Sequence, residues 1–319
     1  MNSAYDGFDA EVICEDTRAI DRLDWLELRR TGIGGSDAAA ALGLSPWTSP
    51  VALWVDKRQG RPDAPPAPTG AEQPERFEWG HRNEPTIAQA FAERTGFEVL
   101  DRPVMLRSKR WQFMLANPDR LVVEPDGELA VLECKNVGEQ NAHEWIGGPP
   151  IHYRLQGQHY LAVCGEQFKK VWFVALVGGN RLVTFEVLRD DDFIAEMIAA
   201  EEKFWTLVEM GRMPDVDGTE ATRKALARYY ERPKLGAKEV GESALELVQR
   251  RNAAKAAAAA ATAALTEAEN ALRALIGDAE AITVNGDVIA TWKTQTTKEH
   301  VVHESSYRVL KVMSRKEKP

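Results

Sequence analysis

The chain has 319 residues, and its 40 Lys and Arg against 49 Asp and Glu leave a formal net charge of −9. A hydrophobic content of 44% and a charged content of 28% suit one large globular domain with an appendage, and exclude bulk disorder, collagen and a disulfide-stapled miniprotein. No apolar run nears the roughly 20 residues that cross a bilayer, no signal peptide is visible, and Cys14, Cys134 and Cys164 lack metal-type spacing, so a cytoplasmic protein with no membrane association is expected.

In chain order, residues 1–24 read as a polar lead-in whose seven acids and two arginines hold five of the nine excess negative charges. A short amphipathic stretch, 25–30, runs into the turn Thr31-Gly32-Ile33-Gly34-Gly35. Ser36 or Asp37 then caps a helix through Ala38–Leu42 that Gly43 stops. Residues 50–59 predict a helix with proline in its first turn. Five prolines within 60–74 predict a surface loop.

A helix is predicted over 83–94, with Pro85 early and Gly96 as its stop. Three strands follow at 111–115, 121–124 and 129–134, separated by Asn-Pro-Asp and Asp-Gly turn signals. A helix over 151–163 comes next, then strands 171–177 and 182–187 joined by Gly178-Gly179-Asn180. A further helix, 193–209, ends at Gly211. Beyond Pro214 the character changes. Residues 242–276 carry six consecutive alanines and predict a helix about 50 Å long. A hairpin around Asn285-Gly286 and a basic tail, 307–319, complete the chain. The expected organisation is a lead-in at 1–24, a domain at 25–214 and an extension at 215–319.

The segment richest in chemistry is Asn117-Pro118-Asp119, followed fourteen residues after Asp119 by Glu133-Cys134-Lys135. Alternate side chains of a strand share a face, so Glu133 and Lys135 project together while Cys134 points into the core. A hairpin can bring Asp119 beside them. Two converging carboxylates resist joint ionisation unless a cation lies between them, and hard oxygen ligands suit Mg²⁺ or Mn²⁺. The implied chemistry is metal-assisted phosphodiester hydrolysis. The same triplet also fits a solvated strand face with an incidental salt bridge. Glu84 could add a ligand, or simply favour the positive end of its helix. His143, His152 and His159 have no ligand spacing and read as helix-surface residues. Trp79, Trp111 and Trp145 fit the core better than base stacking.

Trp25-x-x-x-Arg29, then Gly32-Ile33-Gly34-Gly35-Ser36-Asp37 and Leu42-Gly43-Leu44-Ser45-Pro46-Trp47, resembles the opening signature of YqaJ-type viral recombinases. These are relatives of phage lambda exonuclease within the PD-(D/E)XK superfamily. The resemblance continues through Gly80-x-x-x-Glu84-Pro85, Asn117-Pro118-Asp119, Leu132-Glu133-Cys134-Lys135 and Tyr153-x-x-Gln156-x-Gln158-x-Tyr160, covering about 25–190.

It implies an α/β (α+β) PD-(D/E)XK core, a central mixed sheet flanked by helices, with a helical C-terminal extension. It also implies roles. Asp119, Glu133, Glu84 and the Cys134 carbonyl would hold Mg²⁺ or Mn²⁺, two ions per site. Lys135 would be the catalytic lysine, and Gln156 would position water or the scissile phosphate. Arg29, Ser36 and Asn117 would hold a 5′-terminal phosphate. The implied protein is a phage or prophage 5′–3′ exonuclease, acting on linear double-stranded DNA ends as a homotrimer with a single-strand annealing protein. A related nuclease of another polarity or substrate is the alternative enzyme. A silent DNA-end-binding scaffold is the alternative outside catalysis.

Overall fold

The run Leu129–Val137 is apolar on both sides until it meets Glu133 and Lys135, which is the pattern of a central strand carrying a site on one face. A computed structural model describes residues 7–59, 75–231 and 236–294, with the backbone alone at 75–77. The loop expected at 60–74 and the basic tail at 307–319 lie outside the described residues. The strands are β1 (Ala10–Cys14), β2 (Ile33–Gly34), β3 (Glu98–Leu100), β4 (Met105–Ser108), β5 (Met114–Ala116), β6 (Arg120–Val123), β7 (Leu129–Val137), β8 (Phe168–Val177), β9 (Arg181–Leu188), β10 (Ala281–Val284) and β11 (Asp287–Thr291). The helices are α1 (Arg22–Arg30), α2 (Gly35–Ala41), α3 (Pro50–Gln59), α4 (Glu75–Thr95), α5 (Ile151–Cys164), α6 (Asp191–Glu209), α7 (Glu220–Tyr229) and α8 (Ser243–Ile276).

The central sheet has the order β3-β6-β7-β8-β9 and is mixed: β7 and β8 are parallel, and the other neighbours antiparallel. The parallel pair needs a crossover, and α5 supplies it. A second, four-stranded sheet, β1-β4-β5-β2, is also mixed. The mixed α/β architecture expected from the sequence is the one observed.

Strand alternation sorts the core into two sides. Ala130, Leu132 and Cys134 of β7 pack with Ile87, Ala88 and Phe91 of α4. Val131 and Val137 join the larger core with Leu155, Tyr160 and Leu161 of α5. By the same alternation Glu133 and Lys135 share the α5 side, where Gln156 waits. The Cys134 side chain points to α4, as the strand pattern predicts.

Several boundaries differ from the sequence reading. The N-cap of α2 is Gly34, not Ser36 or Asp37. Asp37 sits at the third helical position and accepts from the Gly34 N–H at 3.1 Å, the reciprocal half of a capping box. Helix α4 begins at Glu75, so Pro85 is in its interior and removes the N–H that would reach the His81 carbonyl. The strand expected at 111–115 is shifted to β5, because Trp111–Phe113 turn: Trp111 N–H meets the Ser108 hydroxyl and Met114 N–H meets the Trp111 carbonyl. The lead-in contains β1, paired antiparallel to β4.

Packing divides the chain into units 1–230 and 231–319. In the first, α7 lies against α3, with Trp54 and Tyr229 rings 5.3 Å apart. In the second, α8 has 34 residues and is followed by the β10–β11 hairpin, turned by Asn285-Gly286.

Candidate active site

An open cleft of about 680 Å³ is lined by Arg29, Ser36, Glu84, Asn117, Asp119 and Gln156 among others. Six of the nine residues expected at the site therefore meet in one cavity. Glu133, Cys134 and Lys135 do not line it. They connect to it through Gln156 and Asp119. A larger cavity, about 860 Å³, lies beside Arg189 and Phe193 and holds none of the expected residues.

The connection begins on β7. The ladder between β6 and β7 stops at the Arg120–Leu132 pair, so the next residues have no strand partner on that side. Asp119 fills the gap: its Oδ2 accepts from the Cys134 N–H at 2.8 Å. In a strand the N–H and C=O of one residue point the same way, so the Cys134 carbonyl faces Asp119 too. The thiol, on the sheet face toward α4, is held protonated by burial and by the charges of Asp119, Glu133 and Glu84. It is not a nucleophile.

Glu133 is 0% exposed. Its Oε2 accepts from Lys135 Nζ at 2.5 Å and from Gln156 Nε2 at 3.0 Å, while Oε1 is buried with no hydrogen-bond partner. Burial, with Asp119 close by, pushes this carboxyl up to about 8. Burial and Asp119 also raise Glu84. For Lys135, burial favours the neutral amine, but the Glu133 and Asp119 charges outweigh it and hold the ammonium well above its ordinary value. Three carboxylates thus share a volume with too little positive charge, and a buried oxygen is left unmatched. A divalent cation fits that donor set.

Glu84 is ion-paired to Arg120 at 2.6 Å. Because α4 starts at Glu75, Glu84 is more than two turns from the helix start, and a dipole role does not account for it. Arg120 also donates to the Asp119 carbonyl, linking the two acids through a cation that sequence reasoning did not single out.

The other end of the cleft is built by α1 and the glycine turn. Arg29 Nη2 donates to the Ser36 hydroxyl at 2.7 Å and to Asp37 Oδ1 at 2.9 Å, and its guanidinium lies 4.9 Å from the Trp25 ring. Since Gly34 is the cap, Ser36 is not spent on the helix end and its O–H can turn to a ligand. Lys57, with a side chain 4% exposed, bridges Asp37 Oδ2 and the Arg29 carbonyl, both at 2.8 Å. The Asn117 side chain accepts from Trp25 Nε1 at 3.3 Å and donates to the Val104 carbonyl at 3.0 Å, leaving one amide hydrogen. Asp37 and Lys57 were missed in the sequence, although Asp37 stands in the glycine block.

The histidines correct an expectation. His159, expected on a helix surface, is fully buried: Nδ1 lies 2.9 Å from Glu201 Oε1 and Nε2 lies 2.9 Å from the Leu115 carbonyl. His152 is buried as well, and His143 is exposed. Trp145 is in the core, whereas Trp79 is exposed. Elsewhere, Glu124, Asp126 and Glu128 cluster at the β6–β7 turn. Lys170 Nζ reaches Glu124 and Glu128 at 3.2 Å and Glu186 at 2.9 Å, so the cation there is the chain's own.

Residues 24–167 match the model of the YqaJ-like viral recombinase domain. The uncharacterized protein YqaJ of Bacillus subtilis (strain 168) is 39% identical over 223 residues, which is 69% of this chain and 67% of that protein. The chain belongs to the YqaJ-like viral recombinase family. The matched span of this family member runs from α1 through α5 and contains every site residue discussed above. Among solved structures, an alkaline exonuclease from Laribacter hongkongensis superposes with a TM-score of 0.48 at 20% identity, over 59% of this chain and 93% of that one. A phage-related exonuclease from Haemophilus somnus 129PT gives 0.36 at 14%, over 58% and 99%. No helix among the described residues is long and apolar enough to cross a membrane.

Proposed function

We propose that this YqaJ-family protein is a divalent-metal-dependent DNA exonuclease. It engages linear duplex ends, hydrolyses the 5′-ended strand in the 5′ to 3′ direction and leaves a 3′ single strand for recombination by annealing. The observation that carries this reading is the buried Glu133 carboxylate, with one oxygen unmatched, set beside Asp119, Lys135 and Gln156 at a cleft.

Asp119, Glu133, Glu84 and the Cys134 carbonyl would hold Mg²⁺ or Mn²⁺, two ions in all. When bound, they lower the pKa of water and offset charge on the attacked phosphate. Lys135, held as an ammonium, places a fixed positive charge against Glu133 and toward the developing charge on phosphate. Gln156 ties the α5 side of the cleft to Glu133 and orients water or the scissile phosphate. Arg29, with the Ser36 hydroxyl and the remaining Asn117 amide hydrogen, binds the 5′-terminal phosphate. Lys57 and Arg29 together exceed the single charge of Asp37, which leaves this end of the cleft cationic.

This reading extends to a homotrimer that works with a single-strand annealing protein, in the cytoplasm of a bacterial host carrying a phage or prophage. A net charge of −9 suits an enzyme that engages an end over one that coats duplex.

The test uses linear duplex labelled at a 5′-phosphorylated end, with and without Mg²⁺, for the wild type and Lys135→Ala. Metal-dependent release by the wild type and loss by the variant are expected. Equal release by both sinks the catalytic assignment. Release from the 3′ end keeps a nuclease and rejects the polarity, and cleavage by neither favours an end-binding scaffold.

A further inference from the structure

We propose that Trp47 and His152 form a nucleobase platform beside the active site, on which a base within about three nucleotides of the cleaved bond stacks. The proposal rests on the DNA reading above. Trp47 lies between α2 and α3 and is 59% exposed, whereas Trp54 and Trp145 are almost wholly buried. Trp47 is nonetheless held in place. Its ring meets the His152 ring edge-on at 4.5 Å, and the Tyr153 ring at 6.0 Å. The Trp47 main-chain N–H donates to the Ser45 hydroxyl at 3.2 Å, within the Ser45-Pro46-Trp47 turn. The result is a supported aromatic surface with more than half of it left to solvent.

Two further observations connect this surface to a ligand. Tyr153 is 5.1 Å from Lys135 Nζ, so the Trp47 ring is no more than about 11 Å from the catalytic ammonium. Successive nucleotides of a stacked strand are about 3.4 Å apart, which sets the three-nucleotide limit. His152, only 8% exposed, has a buried Nε2 without a hydrogen-bond partner among the described residues. A buried polar atom left unmatched is costly, and a base edge or sugar oxygen would satisfy it. Burial lowers the His152 imidazole, and Lys135 adds to that against the opposing Glu144 charge. A neutral ring offers one donor and one acceptor and suits any base. Stacking is likewise tolerant of sequence, as an enzyme that travels along a strand requires.

The test measures binding to linear duplex in EDTA, by fluorescence anisotropy, for full-length wild type, Trp47→Ala and Trp47→Phe. Each is measured on an intact 5′-phosphorylated end and on one whose first three 5′-strand nucleotides are abasic. Wild type should lose between about fivefold and a hundredfold in affinity on the abasic end. Trp47→Ala should show that loss already on the intact end and little more on the abasic one, with Trp47→Phe between them. Trp47→Ala binding like the wild type overturns the proposal. So does an equal, additive loss on both ends, and if the oligomeric mass changes with it, Trp47 contacts another copy instead. A wild type with no affinity for DNA ends removes this proposal and the exonuclease reading together. A wild type that shows the Trp47 dependence but cuts nothing in Mg²⁺ removes the exonuclease reading alone.

Discussion

The Tyr160 hydroxyl donates to the main-chain carbonyl of Asn117 at 3.1 Å, which pins the Asn117-Pro118-Asp119 segment to the same helix that carries Gln156. The ring reaches that position only because Gly35 has no side chain. A Cβ at Gly35 would stand 2.4 Å from Tyr160 Cε1 and 2.9 Å from Cζ. Tyr160 is walled in by the core and cannot swing aside. Gly35→Ala should therefore lower stability by about 1–3 kcal/mol and displace Asp119 from the Cys134 N–H. Tyr160→Phe keeps the ring and should cost about 1 kcal/mol. Urea midpoints with nuclease rates check both. Gly35→Ala with the wild-type rate and stability would remove the packing argument.

His159 contributes to the pH dependence of folding. Both ring nitrogens face acceptors, the Glu201 carboxylate and the Leu115 carbonyl, an arrangement that favours the imidazolium. Burial opposes that charge, but Glu201, the Leu115 carbonyl and Asp37 outweigh it and raise the group above its ordinary value. A raised folded value stabilises fully below the unfolded value of about 6.5 and loses that contribution as pH rises through the folded value. This contribution should therefore fade as pH rises above about 6.5. Glu201→Gln should flatten the decline, and His159→Gln should cost about 3–5 kcal/mol by leaving Glu201 buried and unpaired. Denaturant midpoints at a series of pH values decide, and an unchanged slope in Glu201→Gln would sink the assignment.

What the sequence makes legible is local. Pro50 at a first turn marks α3 to the residue, and Gly178-Gly179, both at positive φ, marks the β8–β9 hairpin. Strand alternation puts Glu133 and Lys135 on one face and Cys134 on the other, as observed. What is missed depends on distant partners. Strand β1 pairs with β4 about a hundred residues away, and strands of three to five residues carry little periodicity of their own. His159 finds Glu201 on another helix. Pro85 reads as a helix start because prolines favour first turns, and only the packed α4 places it in the interior. The Ser36 cap fails for a related reason: Gly34 is extended and takes the cap position, which leaves Ser36 to Arg29.

Asp37 organises the Arg29–Ser36 end of the cleft, the proposed phosphate site. It is buried, and although burial opposes ionisation, Arg29 and Lys57 hold its carboxyl well below the usual range. Asp37→Asn leaves two cations without their counter-charge and should destabilise the fold by about 3–5 kcal/mol. Lys57→Met keeps the Arg29–Asp37 pair and should cost less. The Arg29 guanidinium loses its charged partner only in the first variant, so only Asp37→Asn should narrow the affinity difference between 5′-phosphorylated and 5′-hydroxyl duplex. Binding of the two duplexes in EDTA measures this, and equal narrowing by both variants would show that Lys57 positions Arg29 as much as Asp37 does.

Glu133 offers the sharpest separation between stability and metal binding. Its carboxyl is raised to about 8 because burial and Asp119 disfavour its charge, so the ionised group is a burden to the metal-free fold near neutral pH. Glu133→Gln removes that charge, keeps an acceptor for Lys135, and should leave the metal-free protein as stable as the wild type or more so. A ligand that binds only the folded state stabilises by about 2.7 kcal/mol at a hundred times its Kd. The wild type should therefore gain thermal stability with Mn²⁺ or Mg²⁺, and Glu133→Gln should gain little. The two effects have opposite signs, which distinguishes a lost ligand from a damaged fold. Melting curves across a metal titration read both at once. A variant that still responds to metal like the wild type would move the ion away from Glu133.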